Sequence, residues 1–298
     1  MHVEQVGDVR CALAEGPVWD VAEQALYFTD MTGQRLWRWD HASGVFRNWE
    51  TPGLIGSFAL REAGGAVMAL ADGFHLFDFE TGLASFIADP QTAGAETQFN
   101  DGKADRRGRF VAGTVHKPAR EPRGALYRLD PDKTVTKLDS GIIISNGPCW
   151  SPDGSVLYFA DSIPCHIYAY DYDLDSGAAS NRRVFADTRA LGGIPDGATV
   201  DAEGRVWSAI CGGGKVACWR PDGVLEQVVD VPPQLASSVM FGGPDLDELY
   251  VTSIDRATLA GADIEGVETR QDDDDPGGRL FVITGLGVKG LPEPRYAG

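Results

Sequence analysis

Short apolar runs alternate with polar, glycine-containing turns along the whole chain. Leu26-Tyr-Phe-Thr, Ala66-Val-Met-Ala-Leu, Phe110-Val-Ala, Val156-Leu-Tyr-Phe-Ala, Val206-Trp-Ser-Ala and Leu249-Tyr-Val-Thr are rich in β-branched and aromatic side chains and are bounded by turn formers. That pattern predicts strands. The runs recur at intervals of roughly 40 to 50 residues, the period of propeller blades and not of sandwiches. Within each unit an Xaa-Gly signal precedes an apolar strand, a polar turn, a second strand, and a third that closes on an aromatic residue and Asp. The first unit, EGPVWDVAEQALYFTDMTGQRLWRWD, and the fourth, NGPCWSPDGSVLYFADSIPCHIYAYD, share this plan closely. The expectation is all-β, a six-bladed β-propeller occupying residues 1–298 as one domain. Convincing amphipathic helix patterns are scarce, and 37 glycines with 17 prolines suit so many turns.

Aligning the units on their hairpins puts a polar residue at one place in four of them: Glu15, Asn100, Asn146 and Asp196. Units two and six offer Gly56 or Ser57, and Ser238. The first strand of every propeller blade lines the central channel, so equivalent residues converge at one face. Glu15, Asn146 and Asp196 supply two carboxylates and an amide oxygen, with no Cys or His among them. Such a set suits one hard divalent cation, Ca²⁺, Mg²⁺ or Mn²⁺, and Zn²⁺ through oxygen. Asp, Asn and Glu can instead serve as turn initiators bonding local backbone, but Glu15 is a poor turn former and facing oxygens repel without a cation. Asn100-Asp101 carries a register ambiguity: counting back from Gly108 puts Asn100 in the column, whereas counting from Gly102 puts Asp101 there.

A formal net charge of −18 argues against nucleic acid and anionic membrane surfaces as partners. No apolar run approaches the eighteen or more residues of a membrane span. The start, MHVEQVGDVRCALAEG, lacks a basic segment followed by a long apolar one, which predicts a cytoplasmic protein. The five cysteines, Cys11, Cys149, Cys165, Cys211 and Cys218, are scattered and read as reduced structural thiols. No Gly-x-Ser-x-Gly elbow is present, so Ser145 and Ser238 read as packing or turn residues. Trp19 and Trp150 read as blade packing close to the channel, and His166 as an ordinary strand residue.

At these positions the sequence resembles the SMP-30/gluconolactonase family, which includes regucalcin and bacterial sugar-acid lactonases. The matching words are LAEGPVW around Glu15, FNDGKADRRGRFVAGT around Asn100, ISNGPCWSPDG around Asn146, SNRRVFAD from Ser180, IPDGATVDAEGRVW around Asp196, FGGPDLDELYVTS, and the terminal GLGVKGL and YAG. The resemblance implies a channel cation held by Glu15, Asn146 and Asp196, and hydrolysis of an aldonolactone to the open-chain acid. It places Asn100 and Asp101 against the ligand or its attacking water. On this reading Asp196 is both ligand and general base, while Asn100 orients the water or a sugar hydroxyl. The partner is then a small sugar lactone; the sequence leaves the oligomeric state open.

Two departures fall on the expected rim. Gluconolactonase-like members often carry an arginine two residues before Asn-Asp-Gly, where this chain has Gln98. Regucalcin-like members place acidic residues after the Gly-Thr of this blade, where this chain has Val115-His116-Lys117-Pro118. Gln98, His116 and Lys117 are therefore candidate substrate contacts. The basic cluster of His116, Lys117, Arg120 and Arg123 could receive an anionic substituent or could be a solvated loop. The run Asp272-Asp-Asp-Asp275 reads as an acidic loop, with a second cation site as the other reading. Two other functions remain open: a metal-dependent esterase or phosphotriesterase, and a non-enzymatic calcium-binding scaffold with a closed coordination shell.

Overall fold

The computed structural model describes all residues except 92–95, 261–263 and 268–274. Its described strands form six four-stranded antiparallel sheets in a ring, a six-bladed β-propeller. The innermost strands of blades 1 to 6 are Ala14–Asp20, Ile55–Leu60, Thr97–Ala104, Ser145–Trp150, Ile194–Val200 and Ala236–Gly242. Blades 1 to 5 each run outward in chain order. Blade 6 takes its outermost strand, His2–Gln5, from the start of the chain, in register from His2 opposite Thr284 to Gln5 opposite Phe281. Two short 3-10 helices, Arg189–Leu191 and Arg256–Leu259, are the helical elements described. Among the described residues no helix is long and apolar enough to cross a membrane.

Each blade is covered on both faces by its neighbours, so its inner strands are apolar on both sides and the core is a set of interfaces between blades. Trp207, Val239, Phe241, Leu249 and Ile283 pack between blades 5 and 6. Phe74, Phe99, Phe110 and Leu129 pack between blades 2 and 3. Trp19 and Trp150 belong to this inter-blade packing, Trp19 stacked on Tyr250 and Trp150 edge-on to Tyr172.

All six innermost strands slip register at the same level: between Glu15 and Val18, Ile55 and Ser57, Phe99 and Gly102, Asn146 and Cys149, Pro195 and Ala198, and Ala236 and Ser238. A bulge bends a strand and re-aims its side chains. Glycine makes it possible here: Gly147 has φ +55°, and a Cβ on Gly197 would overlap Ser238 Oγ of the next blade.

The C-terminal segment crosses the opposite face. Ala202 N donates to Lys289 O at 2.8 Å and Gly290 N to Leu246 O at 2.7 Å, on the hairpins of blades 5 and 6. Tyr296 N then donates to Leu60 O at 2.7 Å and Ala297 N to Gly108 O at 2.9 Å, on blades 2 and 3.

Candidate active site

Asp20, Asp105, Ser151 and Asp201 open the inner hairpins of blades 1, 3, 4 and 5. Each stands the same distance along its strand from one polar residue: Glu15, Asn100, Asn146 and Asp196 respectively. The structure thus brings all four to one level of the channel, roughly 17 Å along the strands from the hairpins at 3.3 Å per residue. Hairpin counting resolves the register of blade 3 in favour of Asn100. Its bulge nevertheless turns both Asn100 and Asp101 toward the axis, with Asn100 half-buried at the rim and Asp101 buried beneath it.

Glu15 is 5%, Asp101 5% and Asp196 7% exposed, so three carboxyls stand nearly out of water within electrostatic reach of one another. Glu15 and Asp196 hydrogen-bond to each other across the axis. Burial raises the Glu15 pKa well above its ordinary value, and the charges of Asp196 and Asp101 raise it further. Asp196 is raised in the same way, by burial and then by Asp101. Asp101 is raised by burial against the opposing pull of Lys103 and of two backbone N–H donors, Gly147 at 2.8 Å and Gly102 at 2.7 Å. The nearby cation is Lys103, itself buried, which crosses from blade 3 to donate to Ala198 O of blade 5 at 2.8 Å. Three acids against one ammonium is an arrangement that a divalent cation relieves, and carboxyl and carboxamide oxygens are the donors that a hard cation takes. Among the described residues no three His, Cys, Asp or Glu side chains converge as a ready-made metal cluster. The donor set is therefore a mixed one, Glu15 and Asp196 with the Asn146 carboxamide.

The amides are connected. Asn100 Nδ2 donates to Ser145 O and to Asn146 Oδ1, both at 2.8 Å. Asn146 Nδ2 donates to Ser162 Oγ at 2.9 Å, and Ser162 Oγ donates to Pro195 O at 2.7 Å. The Cys211 thiol, buried, hydrogen-bonds Asp196 and is driven well above its ordinary pKa by burial and by the Asp196 and Glu15 charges.

The rim candidates sit apart from this centre. Gln98 is half-buried opposite Val115. His116 is buried, and its Nδ1 accepts from the backbone N–H of Glu121 at 2.9 Å and of Arg120 at 3.4 Å. Glu96 lies 3.7 Å from His116 Nε2 and 2.7 Å from Arg123, which also pairs with Glu121 at 2.7 Å. Lys117 is exposed. The basic loop is thus interleaved with two acids. Asp272 to Asp274 lie outside the described residues; the Asp275 carboxylate accepts from Gly277 N at 3.1 Å, an ordinary turn contact. A cavity of about 480 Å³ lined by Tyr27, Arg38, Trp49 and Phe79 lies on the outer edge of blades 1 and 2, with Arg38 already held by Glu23 at 3.1 Å.

Sequence reasoning missed Lys103, Ser162 and Cys211. For Lys103 a signal exists, a lysine two places after Asp101 in a strand that otherwise faces the core. Ser162 and Cys211 lie at the ends of the second strands of blades 4 and 5, in the same hairpins as Asn146 and Asp196, and carry no local mark.

Residues 13–255 match the family model of the SMP-30/gluconolactonase/LRE-like region. Regucalcin of Xenopus laevis is 39% identical over 304 aligned residues, spanning 100% of this chain and 99% of that protein. Among solved structures, a luciferin-regenerating enzyme superposes with TM-score 0.90 at 30% identity, covering 100% of this chain and 99% of that one. The calcium-binding protein regucalcin of Agrobacterium tumefaciens does so with TM-score 0.87 at 28% identity, covering 99% and 97%.

Proposed function

The chain belongs to the SMP-30/gluconolactonase/LRE-like family, and on that premise we propose that it is a divalent-metal-dependent hydrolase that opens a sugar aldonolactone to the aldonic acid. The observation that carries the proposal is the buried, hydrogen-bonded Glu15–Asp196 pair at the axis, next to a carboxamide. Glu15, Asp196 and the Asn146 oxygen would hold the ion, and similarity to a calcium-binding regucalcin and membership of a family that includes gluconolactonases support that reading. When bound, a divalent ion supplies positive charge opposite the lactone carbonyl oxygen and lowers the pKa of a water.

The chain's own groups do the rest. Asp196 takes the proton of the attacking water as the water oxygen bonds to the carbonyl carbon, and returns it to the ring oxygen as the ring C–O bond breaks. Asn100, at the rim between solvent and the buried acids, holds the water or a ring hydroxyl in line. Gln98, His116 and Lys117 stand further out, where substituents of the sugar would lie. Asp101 has both oxygens on backbone N–H groups, so its part is to set the field of the channel and not to move protons.

The test is acid release from a panel of aldonolactones by chelator-stripped protein, with each divalent ion restored in turn and with Glu15→Gln and Asp196→Asn alongside. Ion-dependent turnover that both variants lose supports the proposal. Tight ion binding with no lactone opened would favour a calcium-binding scaffold instead.

A further inference from the structure

A carbonyl oxygen can only accept hydrogen bonds, and this fixes the direction of the buried polar chain beside the channel. Ser162 Oγ lies 2.7 Å from Pro195 O, so the hydroxyl hydrogen points there. The lone pairs that remain on Oγ can only accept, and the group 2.9 Å away is the Asn146 carboxamide. That end of Asn146 must be its nitrogen. Its oxygen is thereby turned away from Ser162 toward Asn100, whose Nδ2 sits 2.8 Å from it. The second hydrogen of Asn100 Nδ2 goes to another obligate acceptor, Ser145 O. Both hydrogens are used, which leaves Oδ1 as the end of Asn100 available to a ligand. A turned Asn146 would set oxygen against oxygen at Ser162 and nitrogen against nitrogen at Asn100.

We propose that Ser162, fully buried at the end of the second strand of blade 4, is a positioning residue that orients the Asn146 amide and, through it, that of Asn100. The two amides then present oxygen acceptors to the channel. This inference rests on the reading of Asn146 as a cation ligand and extends it to the residue that orients it.

The test uses the full chain with Ser162→Ala, Ser162→Thr, Asn146→Asp and the double variant Ser162→Ala/Asn146→Asp. Mn²⁺ affinity is measured by electron paramagnetic resonance, and the side-chain amide signals of ¹⁵N-asparagine-labelled, chelator-treated protein by NMR. Ser162→Ala is expected to weaken Mn²⁺ binding by about 10- to 100-fold, the range for loss of a group that orients a ligand. Ser162→Thr keeps the hydroxyl and retains affinity. Both ends of the Asn146→Asp side chain are oxygen, so Ser162 no longer selects between them and only sets oxygen against oxygen; in that background removal of its hydroxyl is expected to leave Mn²⁺ affinity unchanged or to raise it. In the metal-free protein, Ser162→Ala shifts the amide signals of both Asn146 and Asn100.

Equal losses in the parent and Asn146→Asp backgrounds, or Ser162→Ala binding Mn²⁺ like the parent, would overturn the proposal. If the parent protein itself binds no Mn²⁺, the cation reading fails on its own. The metal-free spectra then decide the role of Ser162: unchanged Asn146 and Asn100 signals in Ser162→Ala refute it, and shifted signals sustain it.

Discussion

Glu15 and Asp196 are acids that the fold holds against their ordinary tendency to ionise. Their folded pKa values lie above the ordinary 4.5 and 3.8, so as pH rises the unfolded chain releases these protons first. Between the two pKa values the unfolded state binds fewer protons, and stability falls as pH rises. In the chelated protein the contribution of these two acids to stability is therefore expected to be full below about pH 4 and to fall as pH rises. Glu15→Gln and Asp196→Asn, chelated, should melt above the parent at pH 7, by about 2–4 °C for each kcal/mol of relieved strain in a chain of this size. That advantage should vanish near pH 4; calorimetry across pH checks both. With Mn²⁺ present the order reverses, because each variant lacks a proposed ligand and should bind the ion at least about 100-fold more weakly, beyond the range for an outer-shell change. At this scale Glu15, Asn146 and Asp196 were legible in the sequence because each lies at a fixed distance from its own hairpin. Asn100 and Asp101 were ambiguous because the bulge turns two consecutive side chains inward. Lys103 acts across to blade 5, whereas Ser162 and Cys211 act from the second strands of the hairpins that carry Asn146 and Asp196, a proximity set by strand register that no local pattern encodes.

The element that carries the site is the bulged innermost strand, and its glycines set how closely blades approach. A Cβ on Gly197 would overlap the Ser238 side chain of blade 6, and Gly197 follows Asp196 directly. Gly197→Ala should cost about 1–3 kcal/mol, the range for overpacking a filled interior. It should also weaken Mn²⁺ binding, since pushing the strand of Gly197 away from Ser238 displaces the adjoining Asp196. Gly53 is the control. No atom lies within 4 Å of a Cβ built there and its backbone is not left-handed, so Gly53→Ala should be neutral or stabilising by up to about 1 kcal/mol through the unfolded chain. Denaturant melts with parallel Mn²⁺ titrations separate the two. Strands and hairpins were legible because alternation and turn residues are local. The bulges were visible only as Xaa-Gly pairs without a stated geometry, because a register slip depends on the partner strand.

A ring of blades must close, and this molecule closes twice. The outer strand of blade 6 comes from His2–Gln5, a short polar stretch that offers no apolar alternation by which the sequence could mark it as a strand. The six-unit period was legible because it repeats; the closure was not, because it occurs once. The second closure is the C-terminal segment, which joins the hairpins of blades 5 and 6 to those of blades 2 and 3. Its anchor is Tyr296, fully buried against Phe74, Phe99 and Phe110, with its hydroxyl donating to Asp130 O at 2.8 Å. Tyr296→Ala removes a large ring and strands that carbonyl, so it should cost about 3–5 kcal/mol, the range for a buried aromatic truncated to alanine. The anchor binds the hairpin end of the channel, roughly 17 Å along the strands from the acids. Sites so far apart with no shared partner combine additively, so below the melting range the Mn²⁺ affinity of Tyr296→Ala should match the parent within about twofold. A large loss of stability with unchanged affinity identifies the segment as a clasp on the ring. A parallel fall in affinity would mean instead that the hairpin end controls how closely Glu15 and Asp196 are held together.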